Sequence, residues 1–196
     1  YLPQGLILVT GKTNSGKSTT LNCLIDDINK NTNKKIITLE DPIEYMHISD
    51  KSLIVQKEVG EGKDIRTFAE GVRNSLREDP DIVIVGEIRD RDTIDAAIEI
   101  AESGHLVIAT LHTRSCTETI DRIINFYDLS VQQNIKFLLS SILRLIVSQR
   151  LVPIDINKNI MVPEVMIMSK KIASVIRKPT YVSSEIEDAM QSADNG

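Results

Sequence analysis

The sequence predicts an α/β fold: a doubly wound, mostly parallel sheet with helices on both faces and a helical part toward the C-terminus. Three observations point there. The runs Ile36-Ile37-Thr38-Leu39, Ile82-Val83-Ile84-Val85 and Leu106-Val107-Ile108-Ala109-Thr110-Leu111 carry no charge and do not alternate with polar residues. Strands of a parallel sheet read this way because helices bury both of their faces. Segments of helical period stand between the runs, and Gly, Pro and Ser mark the junctions.

Taken in order, residues 6–9 form a short apolar strand that ends in Thr10-Gly11, and a helical pattern follows over 17–29. A second strand covers 36–39 and a weaker one 53–55. The stretch 66–78 reads as a helix, with Phe68, Val72 and Leu76 four residues apart. Asp79-Pro80 stops it, since a residue before proline is pushed out of the α region. After the strand at 82–85, a helix over 93–102 ends at Ser103-Gly104, a sound C-cap, and the strand at 106–111 follows. Beyond residue 115 the chain predicts helices at 118–126 and 131–149, the second with Ile135, Leu138, Leu139, Ile142 and Ile146 on one stripe. That stripe is narrow and faces no lysine-rich side, which fits core packing rather than a membrane surface. Residues 151–196 hold a short strand at 160–166 and weak helical stretches, an extension of the domain whose core is 1–150. The alternation of strand and helix brings the carboxyl ends of the strands to one edge, where ligands bind.

A chain of 196 residues suits one domain. With 41% apolar and 26% charged residues it has the balance of a soluble globular protein. A net charge of −5 and 4% aromatic residues argue against nucleic acid as a partner, which calls for a basic excess. Cys23 and Cys116 fit neither a zinc site nor a disulfide framework and read as reduced thiols. No signal peptide opens the sequence, and no window reaches the roughly 20 apolar residues of a spanning helix. The longest apolar stretch, 135–147, is broken by Ser140, Ser141 and Arg144.

Chemistry enters at Gly11-Lys12-Thr13-Asn14-Ser15-Gly16-Lys17-Ser18, which fits G-x-x-x-x-G-K-[ST]. The glycines let the backbone curl so that its N–H groups face phosphate oxygens. Lys17 adds a positive charge, and the Ser18 hydroxyl suits Mg²⁺. The motif leaves an apolar strand and opens a helix whose positive end meets the same anion, as the mechanism requires. Gly11, Thr13, Asn14, Ser15, Gly16, Lys17, Ser18 and Thr19 are therefore the expected nucleotide-binding set, with ATP and Mg²⁺ as ligands. Asn29-Lys30-Asn31-Thr32 supplies no guanine-reading N-K-x-D, and no arginine-rich lid of a small-molecule kinase is evident.

Two more strands end in acids. The strand at 36–39 runs into Glu40-Asp41-Pro42-Ile43-Glu44, and the strand at 82–85 into Gly86-Glu87-Ile88-Arg89-Asp90. Hydrolysis needs a base to orient water in line with the γ-phosphorus, and a strand-end acid to hold Mg²⁺ or its water. A glycine stands where an aspartate is usual, and Glu87 follows it. His112 and Thr113 close the strand at 106–111 and should reach the γ-phosphate. His105 begins that strand, lies at the opposite end, and reads as structural.

The segments G-K-T-N-S-G-K-S-T-T at 11–20, I-T-L-E-D-P-I-E-Y at 37–45, L-R-E-D-P-D-I-V-I-V-G-E-I-R-D at 76–90 and G-H-L-V-I-A-T-L-H-T at 104–113 resemble the Walker A, Asp box, Walker B and His box of the secretion ATPase superfamily. Val55-Gln56-Lys57-Glu58-Val59-Gly60 and Thr119-Ile120-Asp121-Arg122-Ile123-Ile124 are similar to segments of its PilT-like type IV pilus retraction ATPases. The four-cysteine zinc element usual in extension ATPases of the PilB/GspE type has no counterpart here. The resemblance implies a RecA-like P-loop core that assembles into a hexamer, hydrolyses ATP to ADP and phosphate, and powers pilus retraction and twitching motility. It implies an inner-membrane pilus platform protein as partner and a place at the cytoplasmic face of the inner membrane. It makes Glu44 the leading general base, Glu87 its partner on Mg²⁺ or water, and His112 a γ-phosphate contact. Arg66, Arg73 and Arg77 are its candidates for the arginine that neutralises transition-state charge, acting across a subunit boundary. The sequence opens about one strand ahead of the Walker A turn, which predicts a core without the family's N-terminal PAS-like domain. The family's C-terminal A-I-R-N-L-I-R-E aligns with Lys171-Ile172-Ala173-Ser174-Val175-Ile176-Arg177-Lys178, where the apolar spacing and Arg177 match. Alternatives are a pilus-assembly or type II secretion ATPase, a RecA-like nucleic-acid translocase, and a nucleotide-binding scaffold without turnover.

Overall fold

A computed structural model describes residues 2–155 and 158–192. The expected α/β class holds. Seven strands form one sheet: β1 (Gly5–Gly11), β2 (Lys35–Glu40), β3 (Leu53–Glu58), β4 (Ile82–Val85), β5 (Leu106–Leu111), β6 (Leu143–Asp155) and β7 (Lys158–Ile167). Their order is β3-β2-β4-β5-β1-β6-β7. All neighbours pair in parallel except β6 with β7. The carboxyl ends of six strands thus share one edge, and β1 sits between β5 and β6 with its final Gly11 at that edge.

Successive strand residues point to opposite faces, and each face finds its own core. Leu6, Leu8, Ile37, Leu39, Val83, Val85, Val107 and Ala109 pack toward α2 (Phe68–Ser75), α3 (Arg91–Glu102), α4 (Cys116–Ile124), α5 (Leu129–Ile142), α6 (Lys170–Ile176) and α7 (Ser183–Gln191). Ile7, Val9, Ile36, Ile82, Ile84, Leu106 and Ile108 pack instead on Leu21, Ile25 and Ile28 of α1 (Lys17–Asn31). Among the described residues one helix covers one face and six the other. The unbroken apolar runs of β2, β4 and β5 follow from this double burial.

Several helices begin on side-chain caps that satisfy first-turn N–H groups. Thr67, Asp90, Ser115 and Ser169 accept from the backbone of Glu70, Thr93, Glu118 and Ile172. The helix expected over 66–78 is shorter: it starts after Thr67 and tightens into a 3₁₀ turn at Leu76–Glu78. Asp79, at φ 51°, closes it.

The helix expected over 131–149 is corrected. α5 ends at Ile142, and Leu143 turns extended to begin β6. Ile146 falls four residues after Ile142 and so continues the helical spacing by coincidence. Without β6, β1 would be an edge strand with unpaired main-chain groups. Pairing from Leu6 with Leu143 to Gly11 with Gln149 supplies those partners and outweighs local periodicity. β6 crosses position 150, and positions 156, 157 and 193–196 of the expected extension lie outside the described residues. Among the described residues no helix is long and apolar enough to cross a membrane.

Candidate functional site

The turn between β1 and α1 is shaped by residues that accept unusual backbone angles. Gly11 stands at φ 147°, Asn14 at 63° and Gly16 at 90°. A Cβ on Gly11 would lie 2.3 Å from Ser15 Oγ and 2.5 Å from the Gln149 carbonyl, so the strand-to-turn junction admits only glycine. Gly16 offers α1 no side-chain cap, and the first turn of α1 holds no acid. Its leading N–H groups therefore lack intrahelical partners and face outward at the positive end of the helix, which suits an anion. Lys17 Nζ donates to Gly11 O at 2.9 Å and to Lys12 O at 3.1 Å, folding the ammonium over the turn. Burial lowers the Lys17 pKa, against a smaller upward pull from the Glu87 charge. A negatively charged ligand beside Lys17 would add to that pull and favour the ammonium. The Ser15 hydroxyl, 4% exposed, has no hydrogen-bond partner among the described residues.

Across a cavity of about 250 Å³ stand the acids. Gly86 N donates to Leu39 O at 2.8 Å, and Ile88 N to Thr110 O at 2.9 Å. These two bonds fix the segment that carries Glu87. A Cβ on Gly86 would come 2.9 Å from Leu39 O, so the aspartate usual at this place has no room. Glu87 Oε1 lies 3.0 Å from His112 Nε2, and Glu87 Oε2 accepts from Arg89 Nε at 2.6 Å. Arg89 Nη1 also reaches Asp41 Oδ2 at 3.3 Å. Glu40 is turned to the sheet, accepting from Thr38 Oγ1 at 2.6 Å and Gln56 Nε2 at 3.0 Å. Glu44, on the loop between β2 and β3, faces the cavity and is exposed; among the described residues it has no hydrogen-bond or ion-pair partner. One glutamate is tied on both oxygens and the other is open.

The fold thus gathers most of the expected residues. Thr13, Asn14, Lys17, Ser18, Glu44, Glu87 and His112 line the same cavity, while Gly11, Ser15 and Gly16 form the turn itself. Thr19 is exposed on the first turn of α1 and outside the lining. Arg66, Arg73 and Arg77 are exposed on and around α2 and do not reach the cavity. Arg89 does reach it, and the sequence reading gave it no role. The available signal was its place two residues beyond Glu87 in the same strand-end loop. His105 stands at the opposite end of β5, bonded through Nδ1 to Ser103 Oγ at 2.9 Å. A second cavity of about 410 Å³ opens beside the tip of the turn, between Lys12, Arg114 and Arg150.

No group of three or more His, Cys, Asp or Glu that could hold a metal is assembled among the described residues. This donor set fits Mg²⁺, which keeps several waters and is commonly held by one carboxylate together with substrate phosphates. Ser18 and Glu87 are the residues that would serve it.

A family model described as type II/IV secretion system protein matches residues 1–192. The chain is 44% identical over 177 residues to PilT, a type IV pilus retraction ATPase of Pseudomonas aeruginosa, covering 90% of this chain and 51% of that protein. It is 40% identical over 193 residues to a twitching motility protein of Neisseria gonorrhoeae, covering 97% and 51%. A crystal structure of the pilus retraction motor PilT with bound ADP superimposes with a TM-score of 0.85 at 44% identity, over 98% of this chain and 53% of that one. The chain spans about half the length of these relatives.

Proposed function

The chain belongs to the type II/IV secretion system protein family, and from that premise we propose that it is the ATP-hydrolysing core of a type IV pilus retraction motor. One observation carries the reading: Lys17 and Ser18 share a cavity with an open acid, Glu44, and a tethered one, Glu87. Hydrolysis uses two carboxylates differently. A base must be free to take a proton from water, whereas a metal-side acid must be held in place. Glu44 suits the first task. Glu87, between His112 and Arg89, suits the second. The curled turn and the α1 N-terminus bind the phosphates, and Lys17 leaves its own loop carbonyls for their oxygens. Ser18, and Glu87 through water, would hold Mg²⁺, which would supply charge neutralisation to the bound phosphates. His112 donates toward the terminal phosphate.

In the intact protein this core works as a homo-hexamer at the cytoplasmic face of the inner membrane. Closure between subunits there displaces a pilus platform protein by shifting populations. The arginine that crosses between subunits comes from the exposed set Arg66, Arg73 and Arg77.

The test is turnover of Mg·ATP by the hexameric protein, with the same variants returned to cells. Lys17→Ala and Glu44→Gln should each lose roughly 10²–10³-fold in kcat, and cells carrying Lys17→Ala should keep their pili but stop twitching. Unchanged turnover in both variants would remove the assignment; cells without pili would redirect it to assembly.

A further inference from the structure

Glu87 has both carboxylate oxygens occupied in the folded chain, one by His112 and one by Arg89. In that state Oε2 accepts from a guanidinium, whose positive charge competes there with a metal ion and its water. The side chain that competes for Oε2 is 54% exposed and sits in a strand-end loop, with the ring of Phe68 6.0 Å from its guanidinium. It spends Nε on Glu87 and one Nη on Asp41, and both contacts are charge pairs that a stronger anion can replace. A guanidinium presents five N–H donors in a planar fork that matches phosphate oxygens. Arg89 lines the cavity that also holds Lys17 and Ser18, so a terminal phosphate bound there comes within its reach. Among the described residues no other arginine lines that cavity.

We propose that Arg89 senses the γ-phosphate: without that phosphate it latches Glu87 to Asp41, and with it Arg89 moves to the phosphate and frees Glu87 Oε2. The inference rests on the nucleotide reading of this site and adds to it a difference between two nucleotides. ADP leaves the latch closed. ATP opens it, so the metal-side acid is released only when there is a phosphoryl group to cleave. Arg89 is here a positioning residue toward Glu87 and a contact for the substrate's last phosphate.

The experiment compares dissociation constants of fluorescent ADP and of a slowly hydrolysed ATP analogue, both with Mg²⁺. The unaltered chain is measured beside Arg89→Gln and Arg89→Lys. Arg89→Gln should weaken the ATP analogue roughly 10- to 100-fold, the range for a lost charge-assisted contact, while ADP affinity stays within about twofold. Arg89→Lys should recover part of the loss, since it restores the charge but not the fork. Retained ADP affinity also reports that the variant is folded. A loss shared equally by both nucleotides would make Arg89 a strut between two loops and overturn the proposal, as would no loss for either. Failure of the unaltered chain to bind either nucleotide would sink the reading of the site and this inference with it.

Discussion

Gly86 carries information through the side chain it lacks. Its N–H bonds the Leu39 carbonyl, and a Cβ would meet that same oxygen at 2.9 Å. The obstacle is backbone, so it cannot swing aside. Gly86→Ala should therefore push β2 from β4 and cost roughly 1–3 kcal/mol of stability, the range for overpacking, read as a lower urea midpoint. A midpoint equal to that of the unaltered chain would contradict the close approach. At this scale the sequence was legible wherever spacing along the chain fixes chemistry. The eight-residue turn sets Lys17 and Ser18 together, and strand ends set Glu87 and His112. The arginines were not legible. Arg66, Arg73 and Arg77, which the resemblance offers to a neighbouring subunit's site, are exposed and outside this chain's own cavity, and the Arg89 contacts depend on two loops meeting in space.

Secondary-structure elements were readable in proportion to how far local signals agree with the fold. β4 and β5 came out with the bounds expected, because a charge-free run buried on both faces has no competing interpretation. The α5–β6 junction did not, because no glycine or proline marks it and its apolar spacing serves either conformation. Pairing with β1 decides the matter, and pairing is not written locally. Asp90 makes the opposite point. It lies in the Walker B segment but acts as the N-cap of α3, its carboxylate accepting from Thr93 N at 2.8 Å. Asp90→Ala should lower stability by about 1 kcal/mol, as cap removal does, measured by urea denaturation. Asp90→Asn, which can still cap, should restore most of it; equal losses in the two variants would assign Asp90 a different job.

The molecule as a whole is bound to titrations of buried groups that do not line the cavity. Burial, with Glu164 beside it, pushes the Cys116 thiol up to about 12. Burial first, and then hydrogen bonds to Asp95 and Asp121, raise Tyr127 and Tyr181 above the ordinary phenol range. Each group keeps its proton more tightly when folded than when unfolded. Its contribution is complete below the ordinary pKa values of about 9 to 10 and is lost as pH climbs toward the folded values. Urea midpoints should fall steadily from pH 9 upward, and a flat profile to pH 11 would refute the shared burial of the three groups. The division of the sheet has a mechanical corollary. α1 alone closes one whole core, and the same helix begins at the phosphate turn. Whatever fastens its first turn therefore also steadies the helix that covers Ile7, Val9, Ile36, Ile84 and Ile108, so a ligand held by that turn would brace this layer of the protein.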